Sequence, residues 1–581
     1  MRLGPRLLLK ARRAARSSEG PMLLAAVLVG VVAGLATWAL GLAAHTMQQV
    51  LYGVGDNRLS ALAHIRHPWR LLALPAGGLL LFAVTRASRR ETAPIDVVEA
   101  NALHGGRVPA RDTLLVCAQT LVSNGFGASV GLEAAYAQAG GGLASLVGQA
   151  ITLRRGDMRI LVGAGAGAAI AAAFGSVLSG AFYAFEIVIG AYVPAALAPV
   201  AAAALSATVV ARLLDAEPYL VAVPSSAPIT FVAYLLYGLL GIVAAIAGIA
   251  IMRAQTASER LLARTGLGPL ARLLLGGALL MPIAWISPQA LSSGHGALRV
   301  DLAMRPALAV LALTFGLKAL ASIVSLSSGF RGGLFFASLF LGTLLGPLYA
   351  GAIDGLAGVL HWPGLALDAD DAALVGMAAL AVTVVGGPMT LSLLVLEATR
   401  DFELTGVVLT AALCAGAFTR ARFGYSFSTW RLHLRGTGVR SARDIGWMAT
   451  LTAGRLMRRD PTVIDAGLTI AQLRASVPLG ATSRVLLSEG GCYRGIVPTA
   501  LAYDPALDPT GPVAALARLP AQAMPARAGI EEILDAFELH RTEDLAVVDD
   551  EGRILGVLTE SYVRRRQAEE QEKASRALFA E

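Results

Sequence analysis

A chain of 581 residues with 55% hydrophobic and only 15% charged side chains, at a mean hydropathy of +0.63, is too apolar for a soluble protein and has the balance of a polytopic membrane protein. The formal charge of +8 comes mostly from arginines beside apolar runs, where topology and anionic headgroups account for it without nucleic acid. Cys117, Cys414 and Cys492 stand far apart with no paired metal spacing, so they support neither a disulfide framework nor a zinc site.

Residues 1–20 are basic, and their leucines share one side of a helix, which suits the cytoplasmic face of a membrane. The apolar run 21–44 is longer than a signal-peptide core and reads as a retained span. Runs 229–252 and 332–353 are equally free of charge, and each exceeds the roughly 20 residues that a spanning helix needs. Arginines cluster between or after apolar segments at Arg86, Arg89 and Arg90, at Arg154, Arg155 and Arg159, and at Arg431, Arg435, Arg440 and Arg443. Such clusters face the cytoplasm, which places both termini inside a multi-pass protein of the plasma (inner) membrane. Hydrophobicity falls after about Gly436, so the expected division is a membrane domain over 21–435, a linker over 436–451, a soluble module over 452–570 and a tail over 571–581.

The membrane region repeats itself. Leu161-Val162-Gly163 leads through small residues to Phe182–Phe185 and Glu186, and Leu374-Val375-Gly376 leads similarly to Leu393–Leu396 and Glu397. A glycine-rich apolar segment stands upstream of each, at 131–142 and 329–346. Two copies of one pattern predict an inverted repeat whose site lies where broken helices meet near the midplane.

Short, glycine-interrupted spans end inside a membrane only where protein or water satisfies their backbone. Four unpaired N–H groups and about half a positive charge at each helix start then make an anion seat without a basic side chain, and dipoles hold an anion weakly enough to release it. The candidate starts are Gly131-Leu132-Glu133, Gly332-Gly333-Leu334-Phe335 and Gly386-Gly387-Pro388. A divalent-cation transporter, the main rival, needs several oxygen ligands, yet the spans offer essentially Glu133, Glu186 and Glu397. An intramembrane enzyme needs a nucleophile with a base, or metal ligands, but His45, His64, His67, His104, His295 and His361 are scattered and none has a carboxylate partner at helical spacing.

These segments resemble the CLC family of chloride channels and chloride/proton exchangers, in the right order along nearly the whole chain. Gly131-Leu132-Glu133-Ala134-Ala135 is similar to its Gly-Lys/Arg-Glu-Gly-Pro motif, Gly329-Phe330-Arg331-Gly332-Gly333-Leu334-Phe335 to its Gly-Gly-x-Phe-x-Pro segment, and 376–399 to a third. The resemblance implies an all-α polytopic fold of about 18 mostly short, tilted helices, and a homodimer with one pore per subunit. It makes Glu133 the gating glutamate, whose carboxylate competes with chloride and swings away when protonated. Amides of Gly131, Leu132, Glu133, Leu334 and Phe335 would bind the anion. Glu186 and Glu397, at matching positions of the repeat, are expected to be structural acids at helix ends.

Four departures qualify the resemblance, the first being Ala134 and Ala135 in place of the gating motif's glycine and proline, which shifts the expected helix start slightly. The family's Gly-Ser-Gly-Ile-Pro loop falls near Thr92-Ala93-Pro94-Ile95-Asp96, where the serine is missing. The family's tyrosine falls near 424–430, which leaves Tyr425 and Ser428 both open as the other hydroxyl ligand. The exchangers' internal proton-accepting glutamate is replaced by Ile187, which carries no proton and tilts the expectation to a voltage-gated channel over a proton antiporter.

The soluble module resembles a pair of CBS domains. A helix-period run at 530–537, a strand at 545–550, a turn at Glu551-Gly552 and a strand at 554–559 carry it, with a weaker copy over 484–497. Such pairs often bind adenine nucleotides through a threonine and an aspartate. Only Thr559 is present, while Tyr562, Pro498 and Leu501 occupy the other key places. An assembly or gating role without nucleotide is therefore favoured, and no cofactor is expected.

Overall fold

Lipid offers backbone amides no hydrogen-bond partner, so an apolar chain that spans it closes its hydrogen bonds within helices. The computed structural model follows that demand and describes residues 19–88, 93–216, 229–424, 426, 427, 429, 430 and 451–579, with only the backbone of 531 and 571–579. Most of the basic segment 1–20, Arg89, Arg90, Thr92, Tyr425, Ser428, the four arginines between 431 and 443, and nearly all of the linker lie outside these residues.

The chain divides into two compact units, Met1–Arg443 and Asp444–Glu581. Among the described residues, the first unit holds sixteen α-helices and no strand longer than a single bridge. They begin with α1 (Glu19–Tyr52), α2 (Ala73–Ala87), α3 (Val97–Leu103), α4 (Ala110–Gly125), α5 (Glu133–Ala150), α6 (Arg155–Phe174), α7 (Val177–Tyr183) and α8 (Pro194–Leu213). The second half holds α9 (Phe231–Arg264), α10 (Pro269–Ile286), α11 (His295–Met304), α12 (Leu308–Ser328), α13 (Phe335–Leu360), α14 (Ala369–Val385), α15 (Pro388–Thr399) and α16 (Phe402–Arg422). Nine described helices are long and apolar enough to cross a membrane, while α3, α7 and α15 are too short to do so.

Small residues draw the repeat together. Gly140 of α5 and Gly165 of α6 face one another so closely that a Cβ on either would run into the other's carbonyl, and Gly342 of α13 and Gly376 of α14 meet in the same way. Backbones approach like this where lipid supplies no hydrophobic drive and packing must hold helices together. After α7 the helix widens into a π-helical turn, Ala184–Ile189, that ends at left-handed Gly190. The turn carries Glu186.

Of the arginines expected at one membrane face, Arg159 is half-buried, and its guanidinium donates to the carbonyls of Asn101 (3.0 Å) and Ile189 (3.2 Å). It ties α3 to the π turn.

The second unit has two three-stranded sheets of identical topology. In one, β1 (Val463–Asp465) is parallel to β2 (Arg484–Glu489), which is antiparallel to β3 (Cys492–Pro498); in the other, β4 (Ala523–Pro525), β5 (Asp544–Val548) and β6 (Ile554–Thr559) do the same. A β-bulge interrupts each hairpin at the same place, Leu487/Ser488 and Val547/Val548. Phe537, Leu545, Val547 and Leu558 lead one core, and Leu473, Val485, Leu487 and Val497 the other. The two repeats over 484–497 and 530–559 that the sequence suggested are thus both present, as two α/β halves.

Candidate functional site

The site begins with two broken segments that pair. Gly131 donates its amide to the carbonyl of Gly333 at 2.9 Å, in an antiparallel bridge that sets the starts of α5 and α13 side by side. Gly131, Leu132, Glu133, Leu334 and Phe335 are all buried there, so the five residues singled out in the sequence come together. Two helix starts aimed at one place superimpose their partial positive charges.

Glu133 is the first residue of α5 and is 2% exposed. Its carboxylate folds back over Gly131, so closely that a Cβ there would displace Oε2 from this position. The oxygens are closed off from solvent and lie against the amides of Glu133 itself and of Phe336 in the first turn of α13, without a well-formed hydrogen bond to either among the described residues. The carboxylate thus lies against helix-start amides whose partial positive charge favours a negative group.

The loop before Glu133 is held by polar contacts that the sequence reading missed. Lys318, in the middle of α12 and fully buried, donates to Ser129 Oγ (2.9 Å) and to the carbonyls of Ser292 (2.7 Å) and Ala290 (3.3 Å). Asn124 donates to the carbonyl of Val130 (2.7 Å) and to Ser293 Oγ (2.8 Å). These contacts fasten the loop 128–132 to the loop 290–294, and the second loop delivers His295. Its Nε2 stands 3.5 Å from Glu133 Oε1. A carboxylate partner, absent at helical spacing in the sequence, is therefore supplied by a distant helix.

The third candidate helix start, and the start of α7, are closed by this chain's own side chains. Met389 and Thr390, at the start of α15, donate their amides to Glu186 (3.1 and 2.9 Å), and Thr390 Oγ1 and Tyr192 Oη donate to it as well (2.7 and 2.8 Å). Gly386-Gly387-Pro388 thus leads to a capped start and not to an open seat. Reciprocally, Leu178 and Ser179 at the start of α7 donate to Glu397 (3.0 and 3.1 Å), as does the Ser176 hydroxyl. Each half of the repeat caps a helix of the other. At α3, Asp96 accepts from the amide of Glu99, Gln138 from Val97 and Asp112 from Ile95. Glu397→Ala is expected to lower stability by about 2 kcal/mol through the lost caps, with Glu397→Gln intermediate, as read from thermal unfolding in detergent. Full stability together with altered anion selectivity would contradict the capping role.

The expected set of buried acids is corrected in both directions: Asp112, Asp301, Asp370 and Asp371 are buried along with Glu133, whereas Glu186 and Glu397 are only partly buried because they lie at helix ends. The four aspartates escaped notice because they stand near helix ends, where each finds a local use: Asp301 accepts from Gln289, and Asp370 pairs with Arg305. Tyr425 and Ser428 lie outside the described residues. A hydroxyl that the sequence did not flag is that of Tyr183, buried with its ring centroid 6.0 Å from that of Phe335.

Two cavities approach the site. One, of about 320 Å³, is lined by His45, Gln49, Asp56 and Arg58, and a small recess shared by His45 and Arg58 continues to Leu132 and His295. The other, of about 580 Å³, is lined by Phe185, Glu186, Ile187, Tyr192, Gly386 and Arg420. The helical stretch through α7 and its π turn runs from Tyr183, against the Phe335 ring, to this second cavity.

Comparison with known proteins shows the family and the fold. The sequence model of the family described as "Voltage gated chloride channel" matches residues 77–420, and that of the CBS domain matches 517–569. A ClcB-like protein of Ralstonia nicotianae is 30% identical over 400 residues, covering 68% of this chain and 92% of its own. The "Voltage-gated ClC-type chloride channel ClcB" of Salmonella dublin is 28% identical over 406 residues, covering 68% and 95%. Among solved structures, a slow cyanobacterial Cl⁻/H⁺ antiporter shares the fold at a TM-score of 0.61 and 22% identity, over 71% of this chain and 97% of its own.

Proposed function

Since the chain belongs to the voltage gated chloride channel family, we propose that it carries chloride or a similarly small anion through a pore gated by Glu133. The observation that carries this reading is the paired start of α5 and α13 with the Glu133 carboxylate resting on it. Amides of Gly131, Leu132, Glu133, Leu334 and Phe335 receive the anion when the carboxylate leaves.

Passive conduction is the form of transport we favour over proton exchange. Ile187 lines the larger cavity and carries no proton, and its neighbour Glu186 accepts from four donors, which makes it a fixed cap and not a carrier. The relative from Salmonella dublin bears the name of a voltage-gated channel. We place the protein in the plasma membrane with both termini cytoplasmic, as a homodimer with one pore per subunit. In the second unit Arg484 donates to Thr559 Oγ1 (3.2 Å) and pairs with Asp544. The threonine that would meet a nucleotide already has a partner, which supports an assembly or gating role without one.

Flux from chloride-loaded proteoliposomes tests the reading. Chloride efflux under a voltage clamped by potassium and valinomycin, without proportionate proton movement, is the expected result. A fixed chloride-to-proton ratio would make the protein an exchanger, and inertness toward anions with Mg²⁺ uptake would overturn the anion reading.

A further inference from the structure

We propose that His295 is the proton partner of the Glu133 gate, passing protons between that carboxylate and the cavity lined by His45 and Arg58. The inference rests on the reading of Glu133 as a gate and adds the group that serves it.

The geometry is specific. His295 opens α11 after left-handed Gly294 and is 7% exposed, with its ring centroid 3.8 Å from that of Phe336. That contact fixes the plane of the imidazole beside the first turn of α13, where the Glu133 carboxylate lies. Nε2 is 3.5 Å from Oε1, slightly beyond a hydrogen bond, so a small movement of either side chain closes the gap. The ring also lines the recess shared with His45 and Arg58, and those two residues line the cavity of about 320 Å³ beyond it. His295 therefore touches the gate and a route toward solvent at once.

The charged and titratable groups around the ring come from every packed element. Glu133 belongs to α5, His45 to α1, Arg58 to the segment after α1, Arg299 to α11 itself and Lys318 to α12; α13 contributes the uncharged Phe336. In the transfer, the Nε2–H bond of an imidazolium breaks and an Oε1–H bond forms, leaving neutral imidazole and neutral carboxylic acid. The pair's total charge is unchanged, so the surrounding cations do not oppose the step as they would the arrival of a further charge. The neutral acid no longer competes for the helix dipoles and gives way to the anion. A proton taken from bulk solution and relayed through the His45/Arg58 cavity and the recess then recharges the imidazole, which is the step that brings a net charge in. Lys318 takes no part in the exchange, because its ammonium is engaged by Ser129, Ala290 and Ser292.

The test is chloride flux in proteoliposomes as pH is stepped on each side in turn, for the full chain, H295Q and E133Q. H295Q is expected to respond to a pH step on one side at least about tenfold more slowly than the unaltered protein. E133Q should lose the pH response altogether. A normal response in H295Q with a lost one in E133Q overturns the role of His295 and leaves the gate standing, whereas a normal response in E133Q removes the gate itself. If H295Q does not assemble, ¹⁵N-histidine spectra of the unaltered protein and E133Q decide: one histidine titration should change in E133Q, and eight unchanged titrations would overturn the proposal.

Discussion

Glu133→Ala should give anion flux that varies by less than about twofold across a pH range over which the unaltered protein changes by about tenfold per unit at its steepest. The carboxylate lies against the paired helix starts of α5 and α13, and it has no well-formed hydrogen bond among the described residues to keep it there. Its hold on the site is the attraction of a negative charge to helix dipoles, and protonation removes that charge. Alanine has neither the charge nor the reach, so the seat stays open whatever the pH. The same change should raise flux at alkaline pH, where the ionised gate competes most strongly with chloride. Measuring chloride efflux at a series of pH values checks both statements. A pH response identical to that of the unaltered protein would remove Glu133 from the gate.

Lys318→Met is expected to cost about 3 kcal/mol or more, because it leaves a buried hydroxyl and two buried carbonyls without their donor. Lys318 is 0% exposed, and its three donors reach Ser129, Ala290 and Ser292. Methionine has similar volume, so packing is little changed, but two carbonyls and a hydroxyl lose their donor in a place water does not reach. The two fastened loops carry Glu133 and His295, so the loss also loosens the gate's geometry. Thermal unfolding in detergent should show a markedly lower midpoint, with reduced yield of monodisperse protein. A K318M variant as stable as the unaltered chain would mean that this network does not hold the site.

The two largest expected effects fall on residues of very different legibility. Glu133 could be read from the sequence because a lone acid in the nearly uncharged run 125–142 is conspicuous and its neighbours resemble a known motif. Lys318 left a similar mark, a single cation within the apolar span 308–328, and that mark was overlooked. His295 left none, since its carboxylate partner lies on α5, far away along the chain. Glu186 and Glu397 were legible as a matched pair through the repeat, but nothing in their spacing told that each caps a helix in the opposite half. The third candidate start, at Gly386-Gly387-Pro388, looked as open as the other two until Glu186 was found on it.

By itself the sequence determined the apolar spans, the glycine breaks within them, the internal repeat and the change to a soluble α/β module after about Gly436. These are local properties: hydropathy sums over neighbouring residues, and a glycine break is decided within one turn of helix. Only the tertiary structure decided which helix starts remain open, which are capped, and which bases stand beside the gate. Those outcomes depend on how helices cross and on distances fixed to within about an ångström, and polar groups in a low-dielectric interior take whichever partner that crossing presents.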